Sequence, residues 1–139
     1  MSSTSSASRA TARRRILHPG SVMMIVGALC VLAGSVLPWV RTAAGNLPGY
    51  GGAGILTAAL GMLLFSGAVI PHRVSAITHC LVVGLPVAAL VVWQSVKLGL
   101  TVASTGAWWH VWAGEGLVLV GTGAAVVLAT AWRLYRNPF

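Results

Sequence analysis

The sequence has a single acidic residue, Glu115, and no aspartate, although it has nine lysines and arginines. A catalytic triad that contains aspartate, or a pair of carboxylates acting as acid and base, is therefore impossible within this chain. The sequence also has no P-loop, no zinc-ligand spacing and no nucleophile elbow. These absences predict a protein that is not an enzyme and that carries no cofactor and no metal.

Charged side chains of either sign are scarce. They make up 7% of the 139 residues, while 57% are hydrophobic, and a typical soluble domain has about 25% charged residues. This composition predicts a single-domain integral membrane protein. The formal net charge is +8, but the basic residues lie at the ends of apolar segments. That placement argues against nucleic-acid binding and favours anionic lipid head groups as partners of the basic tail.

Four apolar runs, at residues 21–40, 51–70, 75–96 and 116–132, are each close to the ~20 residues that a helix needs to cross a bilayer. Residues 1–18 form a basic tail that is expected to be disordered, or alternatively a transit peptide or a twin-arginine signal. Residues 97–115 form an outer loop rich in tryptophan. We therefore predict an all-α membrane protein, with residues 19–139 folded as a compact bundle of four transmembrane helices.

The arginines indicate the orientation of this bundle. With the amino terminus in the cytoplasm, seven of the nine basic residues lie inside, and only Arg41 and Lys97 lie outside. Insertion favours this asymmetry. Both termini are therefore expected in the cytoplasm, in a multi-pass protein of the cell membrane.

Glycines recur at a spacing of seven residues, which places both members of a pair on one helix face. Small residues at that spacing let helix backbones approach closely. The pairs predicted to pack helices are Gly27 with Gly34, Gly54 with Gly61, Gly114 with Gly121, and Gly116 with Gly123. In addition, residues 52–61 match residues 114–123 at a constant offset of 62, which favours two repeated helical hairpins.

The run GSVLPWV at residues 34–40, with one G-x-G opening the second helix and another opening the fourth, resembles small four-helix membrane proteins that are common in actinobacteria. Many of these proteins have no assigned function, so the resemblance implies a compartment and a topology rather than an activity. Their first G-x-G often has an acidic middle residue. Here that position is Ala53, and Glu115 holds the equivalent place in the second G-x-G, so the resemblance implies that any role of such an acid applies only to Glu115.

The segment AWWHVWAGEG, at residues 107–116, holds half of the six tryptophans and the only acid. We predict that it contacts a ligand or a partner through Trp108, Trp109, His110, Trp112 and Glu115. One interpretation is a short surface helix anchored in the outer leaflet by its indole rings. The other is a lid or platform whose aromatic rings stack on a ligand.

His79 and His18 form a candidate polar site within the membrane, because hydrocarbon penalises ionisable groups that have no function there. Two imidazoles at a similar depth suit a haem, whereas the competing interpretation places His79 in contact with interfacial water. Pro86 removes a backbone hydrogen bond and is expected to kink the third helix.

These features together predict a non-catalytic accessory or scaffold subunit of a larger membrane protein complex. The small-residue faces would pack against other subunits or further copies of the chain, and the tryptophan-rich loop would anchor it at the interface. Membrane lipids are the other expected partner. The alternative is a small transporter, or a lipid- or quinone-binding membrane protein, that uses the outer loop and the kinked third helix.

Overall fold

A computed structural model describes residues 19–70, 72–106 and 108–137 of the chain. These residues form four α-helices: α1 (Pro19–Val36), α2 (Gly54–Val69), α3 (Arg73–Thr105) and α4 (Glu115–Arg136). The prediction of a mostly helical chain with four helices is confirmed. The predicted basic tail and His18 lie outside the described residues.

Two of these helices, α3 with 33 residues and α4 with 22, are long and apolar enough to cross a membrane. The other two are shorter, with 18 residues in α1 and 16 in α2. The described part of the chain therefore contains two helices that meet the criteria for a membrane span, and two shorter apolar helices beside them.

The ends of the helices differ from the predicted bounds, most of all on α3. This helix continues nine residues past the predicted end at residue 96 and stops at Gly106, which adopts the left-handed conformation with φ of 66° that glycine accepts without strain. The first half of the predicted outer loop at residues 97–115 is therefore helical. In contrast, α1 ends at Val36, before the predicted end at residue 40. The reason is that Pro38 disfavours helical geometry at Leu37.

The prediction of an all-α chain is wrong in one respect, because three short strands pair into a sheet. They are β1 (Pro38–Thr42), β2 (Gly45–Pro48) and β3 (Val111–Ala113), in the order β2-β1-β3 with both pairings antiparallel. Strands of three to five residues are too short to show the alternation of polar and apolar residues that marks a strand in sequence. The partner of β1 in β3 also lies about 70 residues away, which no local pattern reveals.

The four helices are arranged as a ring in which α1 packs on α2 and α4, and α3 packs on α2 and α4. The backbones of α1 and α4 approach closely, and glycines of the two helices face each other there. A Cβ atom added at Gly34 would lie 2.8 Å from the carbonyl oxygen of Gly116, and one added at Gly123 would lie 2.9 Å from that of Gly27. No side chain fits between these backbones.

The interior is filled by aliphatic side chains such as Met24, Leu64, Val87 and Val120, which are almost completely buried. The outward faces of the helices are apolar as well, and they leave many large aliphatic and aromatic side chains exposed. Helices that are hydrophobic on all sides are typical of a chain surrounded by lipid or by other apolar helices. The same exposed surface in water would be an aggregation hazard.

Candidate functional site

The two ends of the bundle carry different chemistry. At one end Arg73, at the start of α3, donates from Nε to the carbonyl oxygen of Leu134 at 3.0 Å, and its guanidinium also reaches the Tyr135 carbonyl. These bonds satisfy carbonyls that the last turn of α4 leaves without helical partners. Arg133 and Arg136 lie in that same turn, so this end is basic. The sheet and the tryptophan-rich segment lie at the opposite end. We call this end the outer cap (residues 37–52 and 108–115), after the side of the membrane that the sequence predicts for it.

The outer cap is fastened to the helices by Trp39, a residue that the sequence marked only as part of the GSVLPWV run. Its side chain is buried, and its indole Nε1 donates to the carbonyl oxygen of Gly34 at 2.9 Å. The backbone N–H of Gly114 donates to the Trp39 carbonyl at 2.8 Å, and Gly49 packs against the indole ring. The only sequence signal for this role is the L-P-W run after α1, since proline ends the helix and leaves the tryptophan to turn back over it.

Glu115 and Arg41 form an ion pair across the outer cap, a contact that the sequence did not indicate. Nη2 of Arg41, in β1, lies 2.6 Å and 2.5 Å from the two carboxylate oxygens of Glu115, the first residue of α4. Their side chains are 44% and 61% exposed, so the pair contributes about 0–1 kcal/mol, as exposed pairs do. The only acidic side chain of the chain thus links β1 to α4 through an ion pair, and it neutralises the charge of Arg41.

The predicted contact residues near Glu115 lie on the outer cap, but not on a helix. Trp108 and Trp109 precede β3, Trp112 lies within it, and all three side chains are exposed, Trp109 by 80%. The interpretation of this segment as a short surface helix is wrong, because Val111–Ala113 pairs with β1 and places Trp112 opposite Arg41. His110 is also exposed, and its carbonyl oxygen accepts a hydrogen bond from the Ala43 N–H at 3.2 Å.

An open apolar cleft of about 240 Å³ lies between the last turns of α3 and the outer cap. Two of the predicted contact residues, Trp108 and Trp112, form one side, whereas Trp109, His110 and Glu115 are not among its lining residues. The other side is formed by α3, where Ser95 falls within the predicted third helix and Leu98, Gly99 and Val102 fall within the predicted loop. The signal that identifies it is the spacing of Ser95, Leu98, Gly99 and Val102, which lie three or four residues apart and so share one helix face.

His79, the other predicted polar site, is half-buried between α3 and α2. Its Nδ1 lies 2.8 Å from the Ser75 carbonyl oxygen, and its ring packs against Gly67, where an added Cβ would come within 2.6 Å of it. Gly67 therefore makes room for the imidazole. Within residues 19–70, 72–106 and 108–137, no three histidine, cysteine, aspartate or glutamate side chains converge as a metal site. Pro86 lies inside α3, which continues through it.

The buried hydroxyl groups are satisfied inside the bundle. The hydroxyl oxygens of Ser35 and Thr57 lie 2.7 Å apart between α1 and α2, and each also lies within 3.0 Å of a carbonyl oxygen of its own helix. Because each hydroxyl has one proton, one of them donates to the other, and the second donates to the carbonyl of its own helix. Thr130 donates to the Val126 carbonyl at 2.7 Å. Groups paired in this way are structural, since a polar group left without a partner in an apolar interior costs free energy.

No protein-family model, curated protein or solved structure matches this chain, so the resemblance to small four-helix membrane proteins rests on the sequence motifs alone.

Proposed function

We propose that this chain is a multi-pass membrane protein that serves as an accessory or scaffold subunit of a larger membrane complex. The observation that carries this proposal is the contrast between the closed interior and the apolar outer faces. Glycines on α1 and α4 bring the backbones together, whereas the outward faces of all four helices expose large apolar side chains. A bundle of this kind is built to be surrounded by apolar partners rather than to pass a substrate.

Membrane insertion of all four helices is supported by their lengths and by the charges at their ends. At 1.5 Å per residue, α1 and α2 are about 27 Å and 24 Å long, close to the ~30 Å of hydrocarbon. The arginines of α3 and α4 cluster at one end, which we assign to the cytoplasm. The outer cap then covers the ends of α1 and α2 on the other side of the membrane.

The hydrogen bonds of the buried polar groups favour the accessory role over the transporter alternative. Transport sites within a membrane are formed by unwound helix ends and by polar groups that face a cavity. In the described residues, by contrast, the buried Ser35, Thr57 and Thr130 are bonded within the bundle.

The orientation is tested by labelling single cysteines in intact cells with a membrane-impermeant maleimide, after Cys30 and Cys80 have been replaced by alanine. We expect the Ser104→Cys variant, near the outer end of α3, to be labelled directly. The Asn137→Cys variant, after α4, should be labelled only once the membrane is permeabilised. Direct labelling of Asn137→Cys would overturn the orientation.

The accessory role is tested by photo-crosslinking in the native membrane. Met62 and Leu64 lie two residues apart on α2, and their side chains are 63% and 0% exposed. A photoreactive amino acid at position 62 is expected to give one discrete protein adduct, which co-migrates with a complex heavier than the 14.3 kDa chain. The same group at position 64 is the matched control and should give none. A chain that purifies strictly alone in mild detergent and forms no adduct would refute the role.

A further inference from the structure

The length of α3 places the outer cleft at the edge of the bilayer. A helix of 33 residues is about 50 Å long, roughly 20 Å more than the hydrocarbon thickness. Arg73, the first residue of α3, contacts the cytoplasmic end of α4. The extra length of α3 therefore projects from the outer side of the membrane. Trp93, an exposed indole twenty residues after Arg73, then marks the outer boundary about 30 Å away. This placement requires that α3 and α4 cross the membrane, and it is independent of the accessory role.

The cleft lies beside α3 at the outer end of α4, where that helix starts at Glu115. The face of α3 that packs on α4 continues outward as Leu98, Gly99 and Val102, and the indoles of Trp108 and Trp112 cover it incompletely. Ser95, the innermost lining residue on α3, lies two residues past Trp93 and therefore at the boundary of the hydrocarbon. A ligand from the bilayer can therefore enter this space without passing through water.

The lining determines what kind of ligand fits. Ser95 is the one hydroxyl among the lining residues, and it already donates to the Val91 carbonyl at 2.8 Å. The other side-chain polar groups of the lining are the indole N–H groups of Trp108 and Trp112, so a sugar, a nucleotide or a peptide backbone would replace few of the hydrogen bonds to water that it loses here. The volume of about 240 Å³ is below the ~300 Å³ at which small-molecule sites begin. A space of this size suits a short length of alkyl chain.

The cleft has no uncompensated charge at its border that would favour one lipid head group over another. Lys97 lies on the opposite side of α3 from the cleft, on the face of Trp93 and Leu100 at spacings of three and four residues. Arg41, which pairs across the sheet with the cleft residue Trp112, is neutralised by Glu115. The cleft therefore has apolar walls and no net charge at its border.

We propose that the outer cleft binds part of one acyl chain of an outer-leaflet phospholipid, and that it recognises the chain and not the charge of the head group. The bound chain fills the space between α3 and the outer cap. It thereby holds Trp108 and Trp112 at the level of the lipid head groups.

The test uses the full-length protein in phosphatidylcholine vesicles that contain a phospholipid with a diazirine on its acyl chain. After illumination, mass spectrometry maps the adducts. Gly99→Leu fills the cleft, because no atom lies within 4 Å of a Cβ at that position, and leucine favours the helix over glycine. Ser104→Leu adds a leucine on the far side of α3 and is the matched control. Exposed Met62 and Phe65 on α2 provide a reference for lipid contact.

We expect adducts at residues 98–102 and 111–117 in the wild type and in Ser104→Leu, and at least a fivefold loss in Gly99→Leu, with α2 labelled equally in all three. Equal labelling of the cleft in Gly99→Leu would overturn the proposal. So would a wild-type cleft that stays unlabelled while α2 is labelled, because the cleft would then hold a protein side chain or nothing. Absence of label on α2 would overturn the membrane placement itself.

The head group is tested with the same diazirine chain on phosphatidylglycerol and on phosphatidylcholine. We expect labelling of the cleft to agree within twofold. A preference of fivefold or more for the anionic lipid, the effect of about one basic residue near a charged surface, would overturn recognition by the chain alone.

Discussion

The contact between α1 and α4 leads to a sharp prediction, because two glycines on α4 differ in what surrounds them. A Cβ added at Gly123 would lie 2.8 Å from Cγ2 of Val31 and 2.9 Å from the carbonyl oxygen of Gly27. A Cβ added at Gly121, two residues earlier, would meet only Cγ1 of Val91, at the ordinary distance of 3.4 Å. The variants Gly123→Ala and Gly121→Ala therefore make the same chemical change on the same helix.

The expected difference between the two variants follows from the atoms that must move. At Gly123 these include the backbone of α1, which cannot rotate away as a flexible side chain can, so the two helices must separate. Adding a methyl group to such a packed site costs about 1–3 kcal/mol. Replacing glycine by alanine in a helix gains about 0.5–1 kcal/mol, but this gain is common to both variants. We therefore expect Gly123→Ala to be less stable than Gly121→Ala by about 1–3 kcal/mol.

The assay is unfolding of the purified protein in mixed micelles at increasing fractions of dodecyl sulfate, followed through the fluorescence of the tryptophans. Gly121→Ala is expected to unfold at or slightly above the wild-type midpoint, and Gly123→Ala at a clearly lower fraction of the denaturing detergent. Equal midpoints for the two variants would show that α1 and α4 do not approach through these glycines. A destabilised Gly121→Ala would show that α3 packs on α4 at this glycine more tightly than the 3.4 Å distance to Val91 indicates.

Three further substitutions test single contacts, with the same unfolding assay. Trp39→Phe removes the indole donor from the Gly34 carbonyl and should cost about 1–2 kcal/mol; a neutral result would mean that this bond does not hold the outer cap. A double-mutant cycle of Ser35→Ala and Thr57→Ala should give a coupling of about 0.6 kcal/mol, as for hydrogen bonds between membrane helices, and a coupling of zero would contradict the contact between α1 and α2. Glu115→Gln should lower stability by no more than about 1 kcal/mol, with a loss that shrinks at high salt; a loss of several kcal/mol would mean that the ion pair is shielded from solvent.

The outer cap shows why part of the site was open to prediction and part was not. Trp108, Trp112 and Glu115 stand out in the sequence because tryptophans are clustered there and because no other acid exists. Their partners do not stand out. Arg41 lies 74 residues from Glu115, and Leu98 and Val102 look like the start of a loop until β3 folds back against them. Contacts over such separations depend on how the helices pack, which a local pattern does not contain.

By itself, the sequence determined the number and order of the helices, their apolar character on all sides and the excess of arginine at one end. These are properties of segments, since hydrophobic content and helix propensity are summed over neighbouring residues. The tertiary structure decided where the helices stop, which glycines touch backbone, and that β1 pairs with β2 and β3 instead of extending α1. The physical reason is that a backbone N–H or carbonyl beyond a helix end must find a partner elsewhere. Here those partners come from distant parts of the chain.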